Sequence, residues 1–197
     1  MKSSYRGAKG RRGLQNVYVL CAAAVLSAVS FLFGFLAKAT QGTGILRITL
    51  ENLPVVFSGI VFGPTVGAAV GIGADLLSCV TAGQPPLPLI TLGAAAVGAV
   101  SGLLGRRVSL KKPRFLPILL CDAAAQVVGS LIIKTAALAL AFPTIEGWLF
   151  FLRVPTYLLI IAAEAPLLYL LLRSPLVGHE LSKYLPKRNP TEKEDKP

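Results

Sequence analysis

Five long apolar segments constrain this sequence more than any other feature. They cover residues 17–39, 53–80, 88–105, 115–141 and 147–172. A helix needs about 20 residues to cross the hydrocarbon core of a bilayer. Hydrophobic residues make up 54% of the chain and charged residues only 15%, which is too apolar for a soluble domain of this length. The sequence therefore predicts an all-α integral membrane protein.

The positive charge of the chain is concentrated between these segments. Of the 20 Lys and Arg residues, 16 fall in blocks at 2–12, 106–114 and 173–196, and the formal net charge is +11. The blocks contain few aromatic residues that could stack on bases, so we do not expect a nucleic-acid partner. Basic loops of membrane proteins stay in the cytoplasm. All three blocks are therefore expected on that side of the cell membrane, in contact with lipid headgroups.

Charge parity gives the number of membrane crossings. Two basic blocks on the same side require an even number of spans between them, yet three apolar segments precede the 106–114 block. Gly63-Pro64 interrupts the second segment, and proline breaks helical hydrogen bonding. We therefore predict two helices at 53–62 and 65–80, and six transmembrane helices in all.

This topology divides the chain into three parts. A basic cytoplasmic N-terminal segment covers 1–16, and a six-helix membrane domain covers 17–173. A basic cytoplasmic tail, disordered at its end, covers 174–197. Both termini are expected in the cytoplasm.

No pattern of catalytic or cofactor-binding residues occurs in the sequence. There is no GxxxxGK[ST] phosphate loop, no HExxH or GxSxG motif, and the one histidine, His179, lies in the basic tail. Cys21, Cys79 and Cys121 are too far apart to suggest a metal site or a disulfide framework. We predict a protein that is not an enzyme and binds neither metal nor cofactor, so that any ATP is consumed by a partner.

Ionisable residues within or beside the spans are the candidate binding residues, because they are costly in a membrane. On the predicted topology Arg47 lies at the outer side, while Lys134 and Arg153 lie about 10 Å and about 7 Å inside the outer helix ends. Together they would suit an anionic solute. Two alternatives remain open: Lys134 snorkels to the interface, or Arg153 pairs with Glu146.

Acidic residues and one external loop are further parts of the predicted binding region. Asp75, towards the outer side, is a candidate to neutralise one cation, whereas Asp122 and Glu164, nearer the cytoplasm, suit helix packing or coupling. The proline-rich loop 81–88 is expected to form a rigid external lid, with Gln84 available for hydrogen bonding.

Several stretches resemble a known family of transport proteins. They are ILRITLENLP at 45–54, GIVFGP at 59–64, GADLL at 73–77, PLITL at 88–92, LRVP at 152–155 and AEAP at 163–166. Together they are similar to the folate-type S component, the substrate-binding subunit, of an energy-coupling factor (ECF) transporter. The resemblance covers about residues 17–173.

The resemblance implies a six-helix protein that binds its vitamin, here folate, from outside. Thr91 in the PLITL stretch would join Arg47, Gln84, Lys134 and Arg153 at the binding site. It also implies assembly with a transmembrane T component and two ATPase subunits, which hydrolyse the ATP.

The same resemblance implies a docking face for the T component on the first helix. Ala24 and Ala28 form an AxxxA motif there, and small residues let helices approach closely. The alternatives to a folate transporter are an S component for another vitamin or related small solute, and a stand-alone membrane transporter. The latter would be expected to show paired broken helices, whereas the sequence has one Gly-Pro break.

Overall fold

The computed structural model describes residues 17–41, 50–83, 87–108, 113–141 and 148–174. In these ranges the chain is helical and contains no strand. The described ranges contain six main helices: α1 (Val17–Gln41), α2 (Asn52–Phe62), α3 (Pro64–Ala82), α4 (Pro88–Leu104), α5 (115–141) and α6 (Trp148–Arg173). Helix α5 runs continuously through Phe115–Ala125, a π-helical part at Gln126–Ile133, and Lys134–Ala141. The predicted all-α architecture of six helices is confirmed.

The break between α2 and α3 lies at the predicted Gly63-Pro64 pair. Gly63 adopts φ 101° and ψ 177°, a region that side chains with a Cβ rarely enter, and its N–H donates to the carbonyl oxygen of Gly59. Pro64 follows as the first residue of α3, where its missing N–H costs nothing. The chain can therefore reverse direction here with a single connecting residue.

Glycines allow α3 and α4 to pack with their backbones in contact. A Cβ added to Gly71 would lie 2.7 Å from the carbonyl carbon of Ala94, and one added to Gly98 would lie 2.7 Å from the amide nitrogen of Ala68. From Ala68 to Gly71 along α3 the contacts move back from Gly98 to Ala94 along α4, so the helices are antiparallel. Gly67 and Gly71, four residues apart, thus form a packing face against α4, as the small-residue pattern predicted.

Helix α5 packs between α4 and α6 and is antiparallel to both. Gly129 lies against Val97, and the thiol of Cys121 donates to the carbonyl oxygen of Ser101 at 3.2 Å. On the other side, Phe115 meets Tyr169 edge to face, with ring centroids 5.9 Å apart. The start of α5 therefore lies beside the end of α4 and the end of α6.

Helix α2 is short and begins partway along the bundle. Its 11 residues span about 16 Å, and nine of them are buried. Its start is level with Ser30 and Gly34 of α1, since Ser30 donates to the Glu51 carbonyl and Gly34 abuts the Glu51 side chain. That level lies about 10–16 Å before the end of α1 at Gln41. Surrounding helices, rather than lipid, cover α2.

The outer surface of the bundle is apolar. Val80, Leu140, Leu158 and Leu170 are each at least 63% exposed, which would be unfavourable in water. Four helices, α1, α3, α5 and α6, are long and apolar enough to cross a membrane, and α2 and α4 are shorter apolar helices. The chain is a membrane protein.

Candidate functional site

Polar residues recur every four positions along α5. Asp122, Gln126, Ser130 and Lys134 form this stripe, which we call the α5 polar stripe. In an α-helix, residues four apart drift round the axis by about 40° per step. A π-helix has more residues per turn because its bonds join i to i+5, so the drift reverses. The π-helical Gln126–Ile133 thereby keeps the stripe facing the same side of α5.

The middle of the stripe binds the first residue of α2. The Asn52 Nδ2 group donates to Gln126 Oε1 at 2.9 Å and lies 3.3 Å from Ser130 Oγ. All three side chains are buried, and Gln126 and Ser130 are inaccessible to solvent. Because buried amides require partners, this cluster fixes the start of α2 against α5.

Gln126 also links α5 to α6. Its Nε2 group donates to Glu164 Oε2 at 2.5 Å, while its Oε1 accepts from Asn52. A carboxylate only accepts hydrogen bonds, so both contacts require the same orientation of the amide. A directed chain of hydrogen bonds therefore runs from Asn52 through Gln126 to Glu164.

Asp122 lies beside Glu164 at the inner end of this network. The two carboxyl groups are close enough to interact electrostatically, and both residues have 0% exposure. Neither Asp122 oxygen nor Glu164 Oε1 has a hydrogen-bond partner among the described residues. Two acids thus share one apolar compartment of the bundle.

Lys134, at the other end of the stripe, forms an ion pair with Glu51. Lys134 Nζ lies 3.7 Å from Glu51 Oε1, and the side chains are 16% and 35% exposed. The stem of Lys134 packs over Gly93 of α4. In the structure Lys134 therefore pairs with Glu51, an acid just before α2, and does not extend towards the membrane interface as the snorkelling alternative expected.

Arg153 of α6 lies beside the same part of α5. Its Nη1 donates to Thr135 Oγ1 at 2.8 Å, and Thr135 is the neighbour of Lys134 in sequence. Among the residues that the structure describes, Arg153 has no acidic partner. The alternative partner, Glu146, lies outside the described ranges. Arg153 therefore contacts α5 one residue away from Lys134, the other described cation that we assigned to the site.

Thr91 lies on the side of α4 that faces α3, whereas Lys134 packs on the side that faces α5. Its hydroxyl donates to Asp75 Oδ2 at 2.6 Å, and it borders an open groove with Ile72, Pro88, Leu92 and Ala95. Asp75 thus accepts from Thr91 instead of pairing with a described cation. No described contact joins Thr91 to Lys134 or Arg153. Arg47 and Gln84, the other predicted binding residues, lie outside the described residues.

Ala24 and Ala28 are both exposed on one face of α1. The opposite face packs inward: the Ser27 hydroxyl is within hydrogen-bonding distance of the carbonyls of Ala23 and Val70, at 2.9 and 3.2 Å. The AxxxA motif is accessible from outside the bundle. Its role in docking stays a prediction.

Comparison with known proteins supplies the family. A model of the ECF transporter substrate-specific component matches residues 19–178, most of the chain. The chain belongs to this family. The comparison with curated proteins found no significant match.

This membership defines the function at the level of the transporter. An ECF S component is the substrate-binding subunit of a transporter and works with a transmembrane T component and ATPase modules. This chain is therefore a transporter subunit of the membrane, from a family whose members are not enzymes.

The sequence interpretation did not include Asn52, Gln126 and Ser130. For Gln126 and Ser130 the signal was present, because polar residues spaced by four in an apolar segment lie on one helix face. Among the ionisable residues, Asp122 and Lys134 were considered separately rather than as ends of one stripe. The uncharged residues Gln126 and Ser130 lie between Asp122 and Lys134 and complete the stripe.

Proposed function

We propose that this S component captures folate, or a closely related anionic vitamin, from the outer side of the cell membrane. The observation that carries the proposal is the environment of Arg153. Its described partner is the neutral hydroxyl of Thr135, at 2.8 Å, and the side chain is partly buried. A cation in such a place is costly unless an anion accompanies it.

The neighbouring charges support an anionic ligand. Lys134, next to Thr135, is partly neutralised by Glu51 at 3.7 Å. The described group of Lys134, Glu51 and Arg153 therefore carries a net charge of +1. An arriving carboxylate would balance it, and a guanidinium can hold a carboxylate through two parallel hydrogen bonds. Arg47, which follows α1 in the sequence, would add a further cation.

Folate matches this arrangement in two respects. Its glutamate carries two carboxylates for the cations, and its flat ring system suits apolar helix walls. The folate-type resemblance of 45–54 and 88–92 favours it over other vitamins. Gln84 and Thr91 would contribute hydrogen bonds to a part of folate away from its carboxylates, because Thr91 lies on the α3 side of α4.

The proposed topology places this site on the outer side and both termini in the cytoplasm. It rests on the basic blocks at 2–12, 106–114 and 173–196. The chain would need no cofactor of its own, because two partner ATPases would consume the ATP. The T component would dock on the exposed Ala24 and Ala28.

Titration of the purified chain with folate tests the proposal, with the fluorescence of the single tryptophan, Trp148, as the signal. Losing a desolvated charge pair typically costs about 2–5 kcal/mol, so Arg153→Ala should weaken binding by about 30-fold to several thousand-fold. Arg153→Lys should lose less, since it keeps the charge. Arg173→Ala is the matched control, because Arg173 lies at the far end of the same helix, next to Tyr169.

Three outcomes separate the parts of the proposal. Equal folate affinity of folded Arg153→Ala and parent protein would remove Arg153 from the site. A parent that binds another vitamin but no folate would refute the substrate and keep the family. An equal loss of affinity in Arg173→Ala would show that general charge, rather than a local contact, determines binding.

A further inference from the structure

The proposed vitamin site does not use the two acids at the inner end of the α5 polar stripe. Asp122 and Glu164 are completely buried, and Gln126, one helical turn after Asp122, donates to Glu164 Oε2. The other three carboxyl oxygens have no hydrogen-bond partner among the described residues. Two negative charges here would repel each other at short range in an apolar medium. Some positive charge must therefore accompany them.

No described cation is close enough to supply it. Arg114 is 8 residues from Asp122 and Arg173 is 9 residues from Glu164, or about 12 Å and about 14 Å along the helices, and both side chains are exposed at the surface. Lys134 and Arg153 are farther away, at 12 and 11 residues, or about 18 Å and about 16 Å. Helices α2 and α4 carry no ionisable residue. The described ionisable groups beside the pair are Cys121 and Glu51, and neither can supply a positive charge.

A metal ion would be poorly held at this position. The described residues contain no group of three or more His, Cys, Asp or Glu side chains that could hold one. Gln126 does not offer its oxygen to the pair, since its Nε2 group faces Glu164 while its Oε1 faces Asn52. Sodium and other hard cations bind through several oxygens, whereas a proton needs only one donor and one acceptor oxygen.

We propose that Asp122 and Glu164 form a proton-binding carboxyl pair, in which one carboxyl donates a hydrogen bond to the other. The proton removes one of the two charges and satisfies two of the oxygens. The remaining charge is stabilised on Glu164, where the Gln126 amide also donates at 2.5 Å. The pair is therefore a proton site inside the bundle, connected through Gln126 to the start of α2.

Labelling of the full-length, detergent-purified chain with dicyclohexylcarbodiimide tests this site. This apolar reagent needs a protonated carboxyl: the proton moves to a carbodiimide nitrogen and the carboxylate oxygen bonds to the central carbon. The resulting O-acylisourea rearranges to an N-acylurea without losing atoms. At neutral pH we expect a mass increase of one reagent molecule, mapped to Asp122 or Glu164, and its decline as the pH rises.

Variants of similar shape provide the controls. The double variant Asp122→Asn/Glu164→Gln should lose the label, whereas Glu51→Gln should keep it. Infrared spectra give a second measurement that needs no reagent access: the parent should show the carbonyl band of a buried protonated carboxyl, and the double variant should lack it. Comparable elution in size-exclusion chromatography establishes that the variants are folded.

Two results would overturn the proposal. One is a parent protein without the infrared band and without label on either acid at neutral pH. The other is suppression of both signals by sodium chloride but not by choline chloride, which would assign the pair to a sodium ion. Neither result depends on the identity of the vitamin, so the proton site and the folate proposal can fail separately.

Discussion

Replacing Gly98 by alanine should force α3 and α4 apart. The added methyl would lie 2.7 Å from the amide nitrogen of Ala68 and closer still to the carbonyl group of Gly67. These neighbours are backbone atoms inside a helix, so they cannot rotate away as a side chain could. The strain must be relieved by moving one helix against the other.

The expected loss of stability can be worked from opposing terms. Overpacking a close interface costs about 1–3 kcal/mol, and rigid backbone neighbours favour the upper part of that range. Alanine is the better helix former by about 1 kcal/mol, which offsets part of the cost. A net loss of about 2 kcal/mol corresponds to about 4–8 °C in melting temperature for a chain of this size.

Thermal unfolding of the detergent-purified protein measures this loss, with Gly73→Ala as the matched control. Gly73 also lies in a helix, but an added Cβ would meet only the Ser27 side chain, at 2.9 Å from Oγ and 3.2 Å from Cβ. The Ser27 hydroxyl can rotate away and its Cβ needs to shift by only about a few tenths of an ångström, so Gly73→Ala should lower the melting temperature less than Gly98→Ala. If Gly98→Ala melts at the parent temperature, or no lower than Gly73→Ala, the close packing of α3 on α4 is refuted.

Two further predictions concern topology and assembly. A cysteine at Gln84 should react with a membrane-impermeant thiol reagent from outside intact cells, and one at Ser109 only after permeabilisation; the opposite pattern would contradict the six-span orientation. Ala28→Trp should abolish vitamin uptake by the assembled transporter while ligand binding to the isolated chain persists, because a bulky side chain would separate the docked helices. Ala136→Trp, at an exposed position on α5, should leave uptake normal, and equal uptake in both variants would exclude the docking face.

The fold was predictable where a local rule decides it. Apolar runs indicate helices because the bilayer cannot satisfy free backbone groups, and Gly63-Pro64 ends one helix and starts the next for reasons confined to those two residues. The depth at which α2 begins was not predictable in this way. It depends on Ser30 of α1 and Gln126 of α5, and both contacts join residues far apart in sequence.

The same distinction applies to the candidate site. Sequence position alone assigned Lys134 and Arg153 to one region, since equivalent depths follow from counting residues along two neighbouring helices. Which acid neutralises which cation could not be obtained by counting. Asp75 faces Thr91 across the α3–α4 interface, whereas Glu51 reaches Lys134 because α2 starts close to α5.

The two cations at the proposed vitamin site are unequal in what a ligand can gain from them. Lys134 already has a carboxylate at 3.7 Å, so an arriving anion would have to displace Glu51 or share the lysine with it. The described partner of Arg153 is only a threonine hydroxyl, which an anion can replace with a net gain in electrostatic energy. A carboxylate should therefore engage Arg153 first. Substitution of Lys134 would also free the Glu51 charge to repel the ligand, and the measured loss would combine two effects. For this reason the affinity change in Arg153→Ala reports on ligand contact more directly than the same measurement at Lys134.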